Sequence, residues 1–181
     1  MVPEAPLETT DSGLVPKGEG WFVVNAKEAR WLEHEKFGSG TAFEGDPEFE
    51  QLGINIGVLE PGQPACLYHR ENQQEDFLVL FGECLLLVEG EERPLKAWDF
   101  VHCPPGTNHV FVGAGNEPCG IVSVGRRFER KDEEIVYPVE GVALKHGAGV
   151  EEETPDPKTA YAPYGRVGEA PYRGQLDRKL A

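Results

Sequence analysis

The sequence predicts an all-β fold, an antiparallel sandwich or barrel, and three observations carry that expectation. From about residue 40 to residue 126, short β-rich runs follow one another at regular spacing: GTAFE, INIGVLE, ACLYH, EDFLVLF, ECLLLVE, DFVHC, HVFVGA and CGIVSVG. The turn-forming stretches EPGQP, EGEERP and PPGTN punctuate them. The 181 residues suffice for one domain with a real core and some excess, and are few for two.

Taken in order, residues 1–20 show no hydrophobic period and read as a flexible N-terminal arm. WFVV (21–24) is a short strand candidate. Asn25 with Glu28 three residues on resembles a capping box, so AKEARWLEHEKF up to Gly38 predicts a brief helix near the N-terminus, with His34 an exposed polar residue. The barrel domain is placed at 21–143. Within EDFLVLF, Glu75, Phe77, Val79 and Phe81 share one face, and Asp76, Leu78 and Leu80 the other. Both faces are apolar beyond their first residues, which predicts cover on both sides, by the barrel interior and by another layer or subunit. After residue 127 the chain turns charged (RRFERKDEE), and IVYPVEGVALKH offers one more possible strand. Residues 144–181 form a Pro-, Gly- and Tyr-rich C-terminal extension: either a disordered tail or an arm wrapped over its own or a neighbouring barrel.

Composition narrows the partners. Thirty-two Asp and Glu against 17 Lys and Arg give a formal charge of −15, which repels phosphate backbones and anionic lipid. Neither nucleic acid nor membrane is expected as a partner. The acidic, Pro- and Gly-punctuated N-terminus shows no export signal, and no apolar run approaches membrane-spanning length. Cys66, Cys84, Cys103 and Cys119 are scattered without a C-x-x-C pair, which fits a reducing cytoplasm. They read as buried small hydrophobes.

The chemistry-bearing stretch is YHRENQQEDFLVLFGE, residues 68–83. On a strand, His69 and Glu71 present their side chains to one side, and Glu75 opens the next strand after an Asn-Gln-Gln connection. In HCPPGTNHVF, Pro104 and Gly106 set a turn from which His109 begins a strand that carries Phe111 on the same face. If these strands are neighbours, two imidazoles and one or two carboxylates converge, a donor set suited to a first-row divalent metal. His102, one residue before the Cys103-Pro104 turn, reads as structural, and Tyr68 as packing. Phe77 and Phe111 are candidate pocket residues.

Gly62 through Gly82, and then Trp98 through Gly113, resemble the two motifs of the cupin superfamily, on His69, on Glu75 with Gly82 beyond it, and on Pro104-x-Gly106-x-x-His109. The departures are one extra residue between Gly62 and His69, Glu71 at the second histidine position, Trp98 at the first glycine of the second motif, and Gly113 in place of its final asparagine. The resemblance implies a double-stranded β-helix, a jelly-roll barrel, with one divalent transition metal inside it: iron, manganese, zinc or nickel. His69, Glu75 and His109 are its implied ligands, and Glu71 is either a fourth ligand or the nearest candidate general base.

A cupin barrel does not name a reaction. The leading expectation is a metal-dependent enzyme for a small molecule, of dioxygenase or isomerase type. The alternative is a non-catalytic cupin that binds or senses a metabolite. A homodimer is expected, because an apolar outer face at Leu78 and Leu80 needs cover.

Overall fold

The computed structural model describes residues 1–127 and 134–177. Most of the charged stretch after residue 127 and the last residues of the C-terminal extension lie outside the described residues. The strands are β1 (Leu7–Thr10), β2 (Gly13–Pro16), β3 (Trp31–His34), β4 (Gly38–Ala42), β5 (Leu52–Leu59), β6 (Arg70–Glu71), β7 (Glu75–Phe81), β8 (Glu83–Val88), β9 (Glu91–Lys96), β10 (Phe100–Cys103), β11 (His109–Ala114), β12 (Cys119–Arg126), β13 (Ile135–Val136) and β14 (Gly168–Ala170). Two short helices, α1 (Gly141–Lys145) and α2 (Pro157–Ala160), lie between β13 and β14.

A seven-stranded sheet in the order β10-β7-β12-β5-β4-β3-β14 faces a three-stranded sheet β11-β8-β9, every pair antiparallel. Alternation decides what lies between them. Phe77, Val79 and Ile121 of the large sheet are buried with Leu86 and Phe111 of the small one, in a core that also takes in Cys84, Cys103 and Cys119. On the opposite face of β7, Leu78 and Leu80 are only half-buried.

The helix expected near the N-terminus is absent. Asn25 does cap a turn, its Oδ1 accepting from the Lys27 amide at 2.9 Å, but the turn is not continued. Residues 31–34 and 38–42 form a hairpin instead, in which Trp31 is fully buried and pairs with the buried Thr41. Burying that indole outweighs the local helical preference of AKEARWLE. WFVV forms no strand; Trp21 makes a single bridge to Glu4.

Residues 1–20, expected as a flexible arm, form the β1–β2 hairpin, which is docked on residues 28–30 by the Leu14 amide to Glu28 O (2.7 Å) and the Arg30 amide to Leu14 O (3.1 Å). EGEERP, read as punctuation, is largely strand β9. As an edge strand it needs no apolar face, and its Pro94 removes no hydrogen bond the sheet interior requires. ACLYH forms no strand: it bends at Ala65, Cys66 and Tyr68 and makes one isolated bridge, His69 with His109. IVYPVEGVALKH splits into the two-residue β13 and helix α1.

Of the two readings of the C-terminal extension, the described part is an arm wrapped on its own barrel. Ala160 of α2 and Val150 pack with Leu67 and Tyr137, joined by Tyr161 and Tyr164. Tyr172 and Leu176 pack on the Trp31, Val58 and Phe81 cluster. The tyrosines supply the apolar area that keeps a proline-rich chain in place.

Candidate metal centre

His69 and His109 enter the barrel from adjacent extended segments, and their rings lie 5.1 Å apart, centre to centre. Each ring is oriented by its own backbone. The Nδ1–H of His69 donates to Leu67 O at 2.8 Å, and that of His109 to Thr107 O at 3.1 Å. This fixes the ring orientation and turns both Nε2 atoms toward the interior. Glu75, at the inward-facing start of β7, places Oε2 3.4 Å from His109 Nε2. One ligand atom from each of His69, Glu75 and His109 lies within 4.8 Å of the others, so the three could hold a metal ion. Two free imidazole nitrogens and a carboxylate, buried together, fit a first-row divalent cation.

Glu71 shares the side of the strand with His69, as its spacing predicts, with Oε1 3.6 Å from His69 Nε2. It lies beside the compact three-residue group rather than within it. Burial, and next the Glu71 carboxylate, push the Glu75 carboxyl up to about 7. Burial, and next His69, hold His109 down at about 4. Burial opposes a charge on His69 too, but Cys66, Glu71 and Glu75 around it more than offset this and raise its pKa. A cation in such a site would relieve the repulsion between the two carboxylates.

The group lines a cavity of about 330 Å³ whose wall also includes Phe77, Phe111, Phe37 and Val167. Phe77 and Phe111 are 4.7 Å apart, centre to centre. Asn55 and Ser123, register partners on β5 and β12, also line it. The sequence reading missed these two. Their signal was a polar residue at an inward position of an otherwise apolar strand, in INIGVL and CGIVSVG.

The remaining sequence candidates fall outside the site. His102 points away from the barrel and binds Asp76 at 2.6 Å on the outer face. Cys103 is buried, and burial pushes its thiol up to about 12, which leaves it unreactive. Tyr68 is packing, its hydroxyl accepting from the Gly90 amide at 3.1 Å. Cys66 is nearer the site than expected, with Sγ 3.7 Å from His69 Nδ1.

Two departures from the motif have a local explanation. Trp98 holds a positive φ of 73°, in the region that favours glycine, with its ring exposed. At Gly113 any β-carbon would come within 2.2 Å of Glu60 O, because the Gly62 turn is bonded directly to Gly113. An asparagine has no room there.

The fold and site together are those of a small β-barrel protein with a candidate His-Glu-His metal centre. Residues 55–125 match the Cupin domain family, and this stretch is a cupin domain with the double-stranded β-helix fold. Among solved structures, the chain is similar to a predicted oxalate decarboxylase of Thermotoga maritima, at 20% identity over 59% of this chain and 100% of that one, with a TM-score of 0.52. It is also similar to the polyketide cyclase RemF of Streptomyces resistomycificus, at 15% identity over 62% and 89% of the two chains, with a TM-score of 0.51. A protein of Acidithiobacillus ferrooxidans is 27% identical over 48% of this chain, with a TM-score of 0.43, and the chain spans 55% of that protein's length. No curated protein matches the chain in sequence.

Proposed function

We propose that the protein is a metal-dependent enzyme acting on a small molecule bound inside the barrel. The observation that carries this reading is the convergence of His69 Nε2, His109 Nε2 and the Glu75 carboxylate at the wall of an internal cavity of about 330 Å³, large enough for a compact metabolite. A divalent ion held there would supply a Lewis acid, or a centre for oxygen chemistry, to a substrate oxygen. The chain's own residues do the rest. Phe77 and Phe111 exclude water from the bound molecule, Asn55 and Ser123 offer it polar contacts, and three protein ligands leave coordination positions free. Glu71, outside the three-residue group yet beside His69, is placed to take a proton from the substrate.

The test pairs metal analysis with turnover. Protein prepared without a histidine tag is expected to carry about one divalent ion per chain and to convert a compound in a screen of small thiols, diketones, phenols and sugars. Glu71→Gln is expected to keep the metal and lose turnover. Tight ligand binding with no product in any class would instead support a metabolite-binding role.

A further inference from the structure

The two candidate imidazole ligands are oriented by different parts of the chain. His109 is held by Thr107 O, and Thr107 is itself held in its turn, its amide donating to Pro104 O at 3.2 Å. All three residues lie within the matched stretch 55–125. The backbone of His69 is paired with that of His109, but its ring is held by Leu67 O at 2.8 Å, and Leu67 belongs to no strand. Cys66 Sγ is the other neighbour of His69 Nδ1, at the longer distance of 3.7 Å.

The C-terminal extension supplies what a strand partner would. The Leu67 amide donates to the Tyr161 hydroxyl at 3.0 Å, and the Tyr68 amide donates to Ala148 O at 2.7 Å. The Tyr68 N–H and the Leu67 C=O belong to one planar peptide group. One edge of that plane is therefore bonded to the extension, and the other receives the His69 ring. Tyr161 holds the preceding peptide plane, so the dihedral angles of Leu67, and with them the direction of its carbonyl, are set from both sides. Packing repeats the connection. The fully buried Leu67 side chain sits with Tyr137, Val150 and Ala160. The Tyr161 ring meets Tyr137 edge-on at 5.7 Å, and the Tyr137 ring lies 5.9 Å from that of His69.

We propose that the C-terminal extension is a working part of the metal centre, with Tyr161 a positioning residue for His69 that acts through the Leu67 backbone. This rests on the metal-dependent reading above. Partners that orient a ligating imidazole set how well it binds a metal, and here the partner carbonyl is aimed by an arm outside the matched domain. His109 has no such dependence, so loss of the Tyr161 hydroxyl disturbs one imidazole and spares the other.

The experiment uses the full chain. Tyr161→Phe removes the hydroxyl and keeps the ring. In the metal-free protein, nitrogen-15 NMR follows the Nδ1–H protons of both histidines; that of His69 is expected to exchange with water several-fold faster in the variant, and that of His109 at its native rate. Co²⁺ affinity, followed by visible absorption, is expected to weaken on the order of tenfold. Tyr172→Ala is the control for a loosened arm, since that ring packs on Trp31 at 5.5 Å. It is expected to lower the melting temperature at least as much as Tyr161→Phe and to leave Co²⁺ affinity unchanged. Native Co²⁺ affinity in Tyr161→Phe, or a His69 Nδ1–H that exchanges no faster, overturns the inference. An equal loss of affinity in Tyr172→Ala does so too, because it makes the effect one of general stability. Each of these results leaves the metal reading standing, whereas a native chain that binds no Co²⁺ overturns that reading and this inference with it.

Discussion

The Gly106 amide donates to the Glu71 carbonyl at 2.7 Å, so the turn that leads into His109 is hydrogen-bonded to the strand that carries His69 and Glu71. With the paired backbone bonds between His69 and His109, at 3.2 and 2.8 Å, this makes the two motifs one rigid unit. The Nε2 atoms are therefore placed by the main chain before any ion arrives.

That unit predicts the effect of Gly106→Ala. Gly106 has φ 87°, and a β-carbon there meets open space, so the cost is backbone strain alone. Stability should fall by about 1–2 kcal/mol in urea unfolding. Metal affinity should weaken with it, because the strain falls on the turn that aims His109.

Replacing both histidines separates the site from adventitious binding. His69→Ala with His109→Ala is expected to bring bound metal to background in elemental analysis. Metal held at full occupancy in that double variant would sink the ligand assignment.

The Glu75 carboxyl, at about 7, gives a signed dependence on pH. Its folded value lies above its unfolded one, so its stabilisation of the metal-free protein is complete below the unfolded value and is lost as pH rises through 7. Measured against Glu75→Gln, the native chain should lose on the order of 3 kcal/mol of stability between pH 4.5 and 7. Metal binding must displace this proton and the one on His69, whose pKa is raised too, so affinity should climb with pH through 7. A metal affinity independent of pH between 5 and 7 would remove Glu75 from the ligand set.

We propose that the homodimer forms through the outer face of the large sheet. Register places Phe100, Leu78, Val122 and Ile56 in one row across β10, β7, β12 and β5, and Phe100 is 65% exposed. Leu80 does not belong to this surface, because it packs on the Trp31, Val58 and Phe81 cluster that Tyr172 and Leu176 of the same chain also cover. Phe100→Glu should shift the sedimenting species from dimer to monomer. A native chain that sediments as a monomer at micromolar concentration would end the proposal.

Truncation after residue 150 should lower the melting temperature sharply, since Leu67, Tyr137 and Trp31 would lose Tyr161, Tyr164 and Tyr172 as neighbours. Each large apolar side chain so exposed costs roughly 1.5–3 kcal/mol. An unchanged melting curve would show that the extension contributes no stability.

The sequence by itself determined the barrel, because short β-rich runs and the turn residues between them act locally; β7 alternates cleanly, while β11 is buried along nearly its whole length. It supplied the candidates His69, Glu75 and His109 as well, through their resemblance to the two cupin motifs. Tertiary structure decided what depends on neighbours distant in the chain. The predicted helix yields to a hairpin because Trp31 finds a buried place only there, and EERPLK becomes a strand because a sheet edge tolerates charge and proline. The arm at residues 1–20 is ordered by partners at 28–30, and the tyrosines of the extension by a barrel surface formed elsewhere in the sequence. Glu71 stands beside the ligand group, and Asn55 and Ser123 line its cavity, for the same reason. A side chain's polarity is written in the sequence, but which enclosed space it faces is set only when the sheets close.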